Sequence, residues 1–375
     1  MGACLKNRCK RRVLATITAC VMTGSVLSGC KETKRTYSSK AHESQYSSET
    51  ESNTKNGTYH DYTRTNVSEA HLNEYTVTPV QCHFSEPVLS TTAEDAEIAK
   101  SETADHVAAS EKYLYLYSDV KERLYVYLIN GEEMTLVTTV SFRTDTWKPF
   151  RTEDDITVDL LDGDLLTVYT GYPLLVENAG GKETILSCDP DIVVSPDEQT
   201  IIYRQSSKLH YDPQKKEVTS EPFELDTPGQ IYRDLHLFVT NTNIYVRAHK
   251  ELKAPEGGYS HTYHVFEYDL DGKLIREYAE NSQKVLDMKA VFDLGDELLI
   301  VNGEPDAIEL WDKEGNCLAG AYLSSLIGHY GYGGNCIFPS YSLVRCGKSS
   351  DFILVSAYGI NPHLVEDFVY RIHIE

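Results

Sequence analysis

The residues best suited to ligand recognition are aromatic, imidazole, amide and guanidinium side chains that fall between predicted strands. Such side chains beside glycines can stack on, and hydrogen-bond to, a sugar or a peptide. The densest group is the run 328–335, GHYGYGGN. The candidate ligand-binding residues are Trp147, Arg151, Tyr232, Tyr259, His261, His329, Tyr330, Tyr332, Asn335 and His363. The alternative is that these segments are packed loops that bind nothing.

The sequence lacks the short motifs of well-known catalytic and cofactor sites. It contains no H-E-x-x-H, G-x-S-x-G, G-K-[ST] or G-x-G-x-x-G pattern. His261 and His264 are three residues apart across a predicted loop–strand junction, which does not favour zinc binding. We therefore predict neither a metal nor a cofactor and assign no catalytic residue. A pair of carboxylates for glycoside hydrolysis stays open, because the many acidic residues offer many pairs.

The first 29 residues have the pattern of an export signal. Residues 1–12 carry five basic side chains and no acidic one, and an uncharged stretch runs from Val13 to Val26. That stretch is shorter than the roughly 20 residues of a membrane-spanning helix, and small residues follow it. Leu27-Ser28-Gly29-Cys30 resembles the lipobox of bacterial lipoproteins. The resemblance implies cleavage before Cys30 and lipid on that cysteine. The alternative is an ordinary secretory signal with an incidental Cys30.

Residues 30–70 are predicted to be the lipidated cysteine and a disordered tether. Residues 31–70 contain no Leu, Ile, Phe, Met or Trp, and 14 of these 40 residues are Ser or Thr. Such a segment cannot bury enough apolar surface to offset the entropy of ordering. It would hold the rest of the chain away from a lipid surface. We expect that surface to be the outer face of a plasma membrane or the periplasmic side of an envelope membrane.

The net charge resides in the part of the chain that is predicted to fold. The whole chain has a formal net charge of −22, and residues 71–375 contain 51 acidic and 24 basic residues. This acidity argues against nucleic acid as a partner, because duplex binding needs a basic surface. It also repels anionic lipid. Membrane attachment is therefore expected to depend on Cys30 rather than on the protein surface.

Residues 71–375 are predicted to form an all-β domain of repeated hairpins. Alternating β-branched and aromatic residues recur between turn signals such as Asn130-Gly131 and Asp271-Gly272. No helical run of three turns is found, apart from a short candidate near Thr92–Ala109. Similar hairpins recur about every 49 residues, which fits a four-stranded propeller blade with variable loops. The six predicted blades are 104–141, 155–187, 190–220, 234–278, 288–321 and 340–375.

The sixth predicted blade contains only three strands. The segment 74–84, EYTVTPVQCHF, is β-rich and otherwise unpaired. We predict that it pairs beside residues 368–374 and closes the ring, which would also remove exposed sheet edges. Seven blades and two β-sandwiches are the alternative architectures.

One hairpin carries a motif that resembles a known family. The run 195–203, SPDEQTIIY, is similar to the S-P-D-G-K-x-I-x-Y hairpin of six-bladed propellers of the TolB and WD-repeat-like type. Glu198 replaces the family's glycine and Gln199 its lysine. The resemblance implies a six-bladed propeller, and propellers bind ligands at the mouth of their central channel.

Two functions of different classes fit these patterns. The favoured one is a membrane-anchored, exported lipoprotein whose propeller is a non-catalytic binding or scaffold module for a protein or glycan at the cell envelope. The alternative is an exported glycosidase or lyase with site residues from several blades. Three convergent carboxyl or His side chains at one channel mouth would favour the enzyme.

Five cysteines follow Cys30 and leave the disulfide pattern open. An exported chain permits disulfides, but an odd number leaves at least one thiol. Cys336 paired with Cys346 or Cys317 is one possibility, and buried unpaired thiols are the other. The five are Cys82, Cys188, Cys317, Cys336 and Cys346.

Overall fold

The computed structural model describes most of the chain after residue 68. The predictions for the signal peptide, Cys30 and the tether up to residue 68 lie outside the described residues. The described residues are 69–84, 91–92, 106–118, 123–141, 154–189, 191–226, 233–253, 259–282, 284, 286–303, 306–327, 337–347, 349, 351–361 and 364–375.

Strands dominate the described residues, as the hairpin pattern predicts. In chain order they are β1 (Ala70–Leu72), β2 (Tyr75–Phe84), β3 (Thr91–Thr92), β4 (His106–Ala109), β5 (Tyr113–Ser118), β6 (Arg123–Asn130), β7 (Glu133–Ser141), β8 (Ile156–Asp159), β9 (Leu165–Tyr169), β10 (Leu174–Ala179), β11 (Lys182–Leu186), β12 (Ile192–Val194) and β13 (Ile201–Tyr203). The remainder are β14 (Ser207–Asp212), β15 (Glu217–Pro222), β16 (Arg233–Val239), β17 (Asn243–Lys253), β18 (Tyr259–Asp269), β19 (Leu274–Tyr278), β20 (Met288–Asp293), β21 (Glu297–Gly303), β22 (Asp306–Asp312), β23 (Cys317–Tyr322), β24 (Ile337–Arg345), β25 (Asp351–Asn361) and β26 (Leu364–Ile374).

One short helix, α1 (Leu323–Ile327), follows β23. It buries Leu323 and Leu326 against the neighbouring sheets. The helix candidate near Thr92–Ala109 is wrong at its described end, because residues 106–109 form β4 and pair with β5. No helix in the described part of the chain is long and apolar enough to cross a bilayer.

Sixteen strands form four separate four-stranded sheets. Each sheet is an antiparallel meander of consecutive strands: β8–β11, β12–β15, β16–β19 and β20–β23. These sheets match four of the predicted blades. The domain is therefore all-β, with a propeller-like arrangement of four-stranded sheets.

The sheet pairing differs from the predicted six separate blades. The strands of the other two predicted blades belong to one ten-stranded, barrel-like sheet with the main order β24-β25-β26-β2-β7-β6-β5-β4. Strand β2 causes the merger. It pairs antiparallel with β26 from Val77 to Cys82, beside the residues that the sequence predicts. Its last two residues, His83 and Phe84, then pair in parallel with Glu133 and Met134 of β7.

Buried clusters join these groups of strands in chain order. Each is built from apolar faces of neighbouring groups, and a fully buried large aliphatic side chain contributes about 1.5–3 kcal/mol. Representative pairs are Tyr115 with Leu166, Leu174 with Ile201, Ile202 with Val246, Tyr245 with Trp311, Leu310 with Phe352, and Ile353 with Tyr127. The last pair joins β25 to β6, so the packing returns from the final strands to the first ones.

The turn between β18 and β19 shows how local sequence fixes this packing. Gly272 has a φ of +88°, which favours glycine. A Cβ atom on it would lie 2.4 Å from the carbonyl oxygen of Glu224. The Asp271-Gly272 turn therefore permits a close approach between this hairpin and the segment that follows β15.

Candidate functional site

The described strands surround a central cavity of about 490 Å³. Its volume lies within the range of small-molecule sites, about 300–1,000 Å³. The first strands of five groups line it, namely β4, β12, β16, β20 and β24, together with β11 and the segment that follows it. The wall is thus assembled from every group of strands in the domain.

The β8–β11 sheet faces this cavity in the opposite sense to the other groups. Its last strand, β11, lines the cavity, whereas each of the other groups lines the cavity with its first strand. Ile156 and Val158 of β8 instead pack in the cluster that contains Val140 of β7. On β10, Glu177 accepts a hydrogen bond from Tyr115 of β5 at 2.5 Å. Ser187, Cys188 and Asp189, which follow β11, also line the cavity.

Charged side chains of both signs line the cavity. Arg345 and Lys289 lie on β24 and β20, while His106, Asp189 and Glu198 come from β4 and the β11–β13 region. Asp189 is only 7% exposed, and burial raises the pKa of its carboxyl group. Its Oδ1 accepts a hydrogen bond from the backbone N–H of Asp191 at 2.7 Å.

A second, more polar pocket of about 340 Å³ lies beside the cavity and shares Thr184, Glu198 and Gly347 with it. Asp164 and Glu177 line this pocket and are almost fully buried. Burial raises the pKa of Glu177. A hydrogen bond from Lys112 lowers the pKa of Asp164.

The carboxylates of this pocket have partners within the protein. Asp164 accepts hydrogen bonds from the Lys112 ammonium at 2.6 Å and the Tyr113 hydroxyl at 2.9 Å. Glu111 lies 3.2 Å from the Lys182 ammonium. These contacts connect β4–β7 to β8–β11, so they hold two groups of strands together. In the described part of the chain, no group of three or more His, Cys, Asp or Glu residues could hold a metal ion.

The ten predicted ligand-binding residues contribute no described side chain. Tyr259 and His261 lie on β18 rather than in a loop, because β17 and β18 continue as a pair to Lys253 and Tyr259. The other eight lie outside the described residues: Trp147, Arg151, Tyr232, His329, Tyr330, Tyr332, Asn335 and His363. Ligand binding by these residues stays a prediction. Among the described cysteines no disulfide is formed, and Cys336 lies outside the described residues.

Sequence reasoning missed the charged residues that line the cavity. Arg345, Lys289 and Asp189 all stand at or near strand ends, where charged residues are ordinary. No sequence signal therefore distinguishes them as residues that line a cavity.

No protein-family model and no curated protein matches this chain. Solved structures with partial similarity include a provisionally named 6-phosphogluconolactonase from Bacteroides fragilis, 14% identical over 66% of this chain and 80% of that one, with a TM-score of 0.32. A functionally unknown protein from Desulfotomaculum acetoxidans is 12% identical over 58% and 84% of the two chains, with a TM-score of 0.27. A provisionally named 6-phosphogluconolactonase from Bacteroides uniformis is 13% identical over 65% and 80%, with a TM-score of 0.28. Similarities this low carry no argument about activity.

Proposed function

We propose that this chain is an exported lipoprotein, held on a membrane by lipid on Cys30, whose β domain is a non-catalytic binding module for a protein or glycan at the cell envelope. The central cavity, with walls from every group of strands, is the observation that carries the binding role. A rigid β scaffold around a cavity can present ligand-contacting groups with little loss of conformational entropy. The lipobox-like run 27–30 supports the anchor.

The architecture of this module is proposed to be a six-bladed propeller of the TolB-like type. Each half of the ten-stranded sheet is a four-stranded antiparallel unit, and a parallel contact of only two residue pairs joins the halves. Buried clusters that return from β25 to β6 support a closed ring. In the TolB-like motif, Glu198 replaces the family's glycine and has a φ of +64°, the left-handed region that favours glycine.

Changing Cys30 to Ala is expected to move the protein from the membrane fraction to the soluble fraction. The acidic domain offers no alternative attraction to anionic lipid, so attachment should depend on the lipid. Fractionation of cells followed by detergent extraction measures this change. A matched Cys317→Ala variant should stay with the membrane. Membrane retention of the Cys30→Ala variant at the wild-type level would contradict the anchor.

Capture of envelope components by the wild-type chain tests the binding role. We expect a Tyr330→Ala/Tyr332→Ala variant to recover at least tenfold less of the captured partner, because aromatic rings contribute strongly at binding surfaces. A Thr219→Ala variant on the solvent-facing strand β15 is the control. Identical recovery with the double variant would show that these tyrosines are not part of the site.

A glycan-active enzyme is the second candidate, and the polar pocket is the observation in its favour. Glu177 and Asp164 have pKa values shifted in opposite directions, as in the acid and base of many hydrolases. The binding role stands first because hydrogen bonds to Tyr113, Tyr115 and Lys112 already give both carboxylates a structural role.

A further inference from the structure

The central cavity contains a guanidinium that forms no ion pair with any carboxylate of the described residues. Arg345 lines the cavity from β24. Its Nε donates a hydrogen bond to the backbone carbonyl of Ser349 at 2.8 Å, and its guanidinium carbon lies 5.9 Å from the centre of the Phe352 ring. Within the described part of the chain, its two Nη atoms have no hydrogen-bond or ion-pair partner.

Four other arginines in the described part of the chain form ion pairs with carboxylates. Their ion pairs are Arg204–Asp191, Arg247–Asp287, Arg276–Glu267 and Arg371–Asp351. Arg345 therefore differs from them even though acidic residues are in large excess. An unmatched guanidinium on a cavity wall is the arrangement expected where the anion comes from a ligand.

The surroundings of Arg345 favour a bound anion. Burial lowers the pKa of its guanidinium, which means that the charged form is partly desolvated. The negative charge of Asp293 raises the same pKa. That carboxylate, however, already accepts a hydrogen bond from the Lys313 ammonium at 3.1 Å. The planar guanidinium presents paired N–H donors that match the two oxygens of a carboxylate. Stacking on Phe352 limits the orientations that it can adopt.

The cavity lining also carries hydrogen-bond acceptors. Asp189 and Glu198 line the cavity from the segments beside β12. Lys289 adds a second positive charge on β20, next to β24 in the packing order, and its ammonium lies 3.2 Å from Asp287. A ligand that carries both an acidic group and hydroxyl groups would match the cations and the acceptors of this lining. Phe292 on β20 adds an apolar surface to the same cavity for the ring of such a ligand.

We propose that this cavity binds an acidic sugar, with the sugar carboxylate on the guanidinium of Arg345 and its hydroxyl groups toward Asp189 and Glu198. This inference rests on the proposed binding function and specifies its glycan branch. The cavity of about 490 Å³ is large enough for a small molecule of this class.

Isothermal titration calorimetry on the full chain in detergent micelles tests the inference with glucuronate and its neutral counterpart glucose as probes. We expect saturable binding of glucuronate and at least tenfold weaker binding of glucose. Arg345→Gln should weaken glucuronate binding at least tenfold, and Arg345→Lys should weaken it less, because a lysine keeps the charge without the paired donors. Arg123→Gln, an exposed arginine on β6, should bind like the wild type.

Three results would overturn the inference and identify which proposal has failed. Equal affinity of the wild type for glucose and glucuronate would reject the acidic sugar and keep glycan binding. Absence of sugar binding together with a captured envelope protein would reject the sugar and keep the binding module. Absence of both would reject the inference and the proposed function together. If Arg345→Gln melts at a temperature well below that of the wild type, two other measurements still test the inference. They are the comparison of glucuronate with glucose on the wild type and the binding of glucuronate by Arg345→Lys.

Discussion

Deleting residues 69–84 is expected to abolish cooperative folding of the β domain. The deletion removes β1 and β2, and with them Leu72 and Val77 from one cluster and Cys82 from another. Loss of one large buried aliphatic side chain costs about 2–5 kcal/mol, and total stability is about 5–15 kcal/mol. The deletion also exposes the edge of β26, which then becomes a site for aggregation. Circular dichroism during heating and sedimentation of the purified chain measure both effects.

A point variant tests whether the packing of β2, and not only the presence of this segment, stabilises the fold. Val77 is fully buried and pairs with Ile374. Val77→Asp would place a carboxylate in an apolar cluster and should lower stability by at least about 3 kcal/mol. Gln81→Asp, at an exposed position of the same strand, should change stability by less than about 0.5 kcal/mol. A deletion variant with a wild-type melting curve would show that β2 does not complete the fold.

The hairpins were predictable because their signals are local. The Asn130-Gly131 turn joins β6 to β7, and the Asp271-Gly272 turn joins β18 to β19, as the sequence predicts. The partner of residues 74–84 was also predictable, because the last predicted blade lacked a strand and this segment was unpaired. Such inferences need only turn chemistry, side-chain alternation and the requirement that sheet edges be covered.

Contacts between strands that are distant in sequence were not predictable. The parallel contact of β2 with β7 depends on how far β2 extends past β26, and only two residue pairs form it. The direction of the β8–β11 sheet is equally hidden, because an antiparallel meander has the same pattern when its first or its last strand faces the cavity. The extension of β17 and β18 to Lys253 and Tyr259 replaces part of a predicted loop. The turn residues Pro255, Gly257 and Gly258 lie between the two ends of that pairing in the sequence, and they were not used as a hairpin signal.

The residues that line the described cavity were not predictable from the sequence. The sequence indicated recognition by side chains gathered around a channel, and it assigned that role to aromatic loop residues. The described cavity is instead lined by strands, with Arg345 and Lys289 among its charged residues. Strand residues were overlooked because alternation predicts which side chains are buried, whereas it does not predict that a buried side faces a cavity.

Changing Asp287 to Leu is expected to destabilise the domain by about 3–5 kcal/mol. Asp287 is buried beside β20, and its Oδ1 lies 2.5 Å from Nη1 of Arg247, which is also buried. Removing the carboxylate would leave the guanidinium charged and without its ion-pair partner in an apolar environment. Urea unfolding at pH 7 measures the change. Asp271→Leu, at a carboxylate that is 93% exposed, should change stability by less than about 0.5 kcal/mol.

The double variant Arg247→Met/Asp287→Leu shows what the ion pair itself contributes. Nε of Arg247 is buried and has no hydrogen-bond partner in the described structure, so part of its desolvation cost is not recovered. Replacing both charges with apolar side chains should therefore restore most of the stability that the single variant loses. If the stability of the double variant recovers to within about 1 kcal/mol of the wild type, the ion pair adds little net stability. Its role would then be to position β17 against β20. If the double variant is instead as unstable as Asp287→Leu alone, the lost stability comes from the other contacts of Asp287. The side-chain contact concerned is the ion pair with the Lys289 ammonium at 3.2 Å, because the backbone N–H of residue 287 can still donate its hydrogen bond to Oδ1 of Asn302.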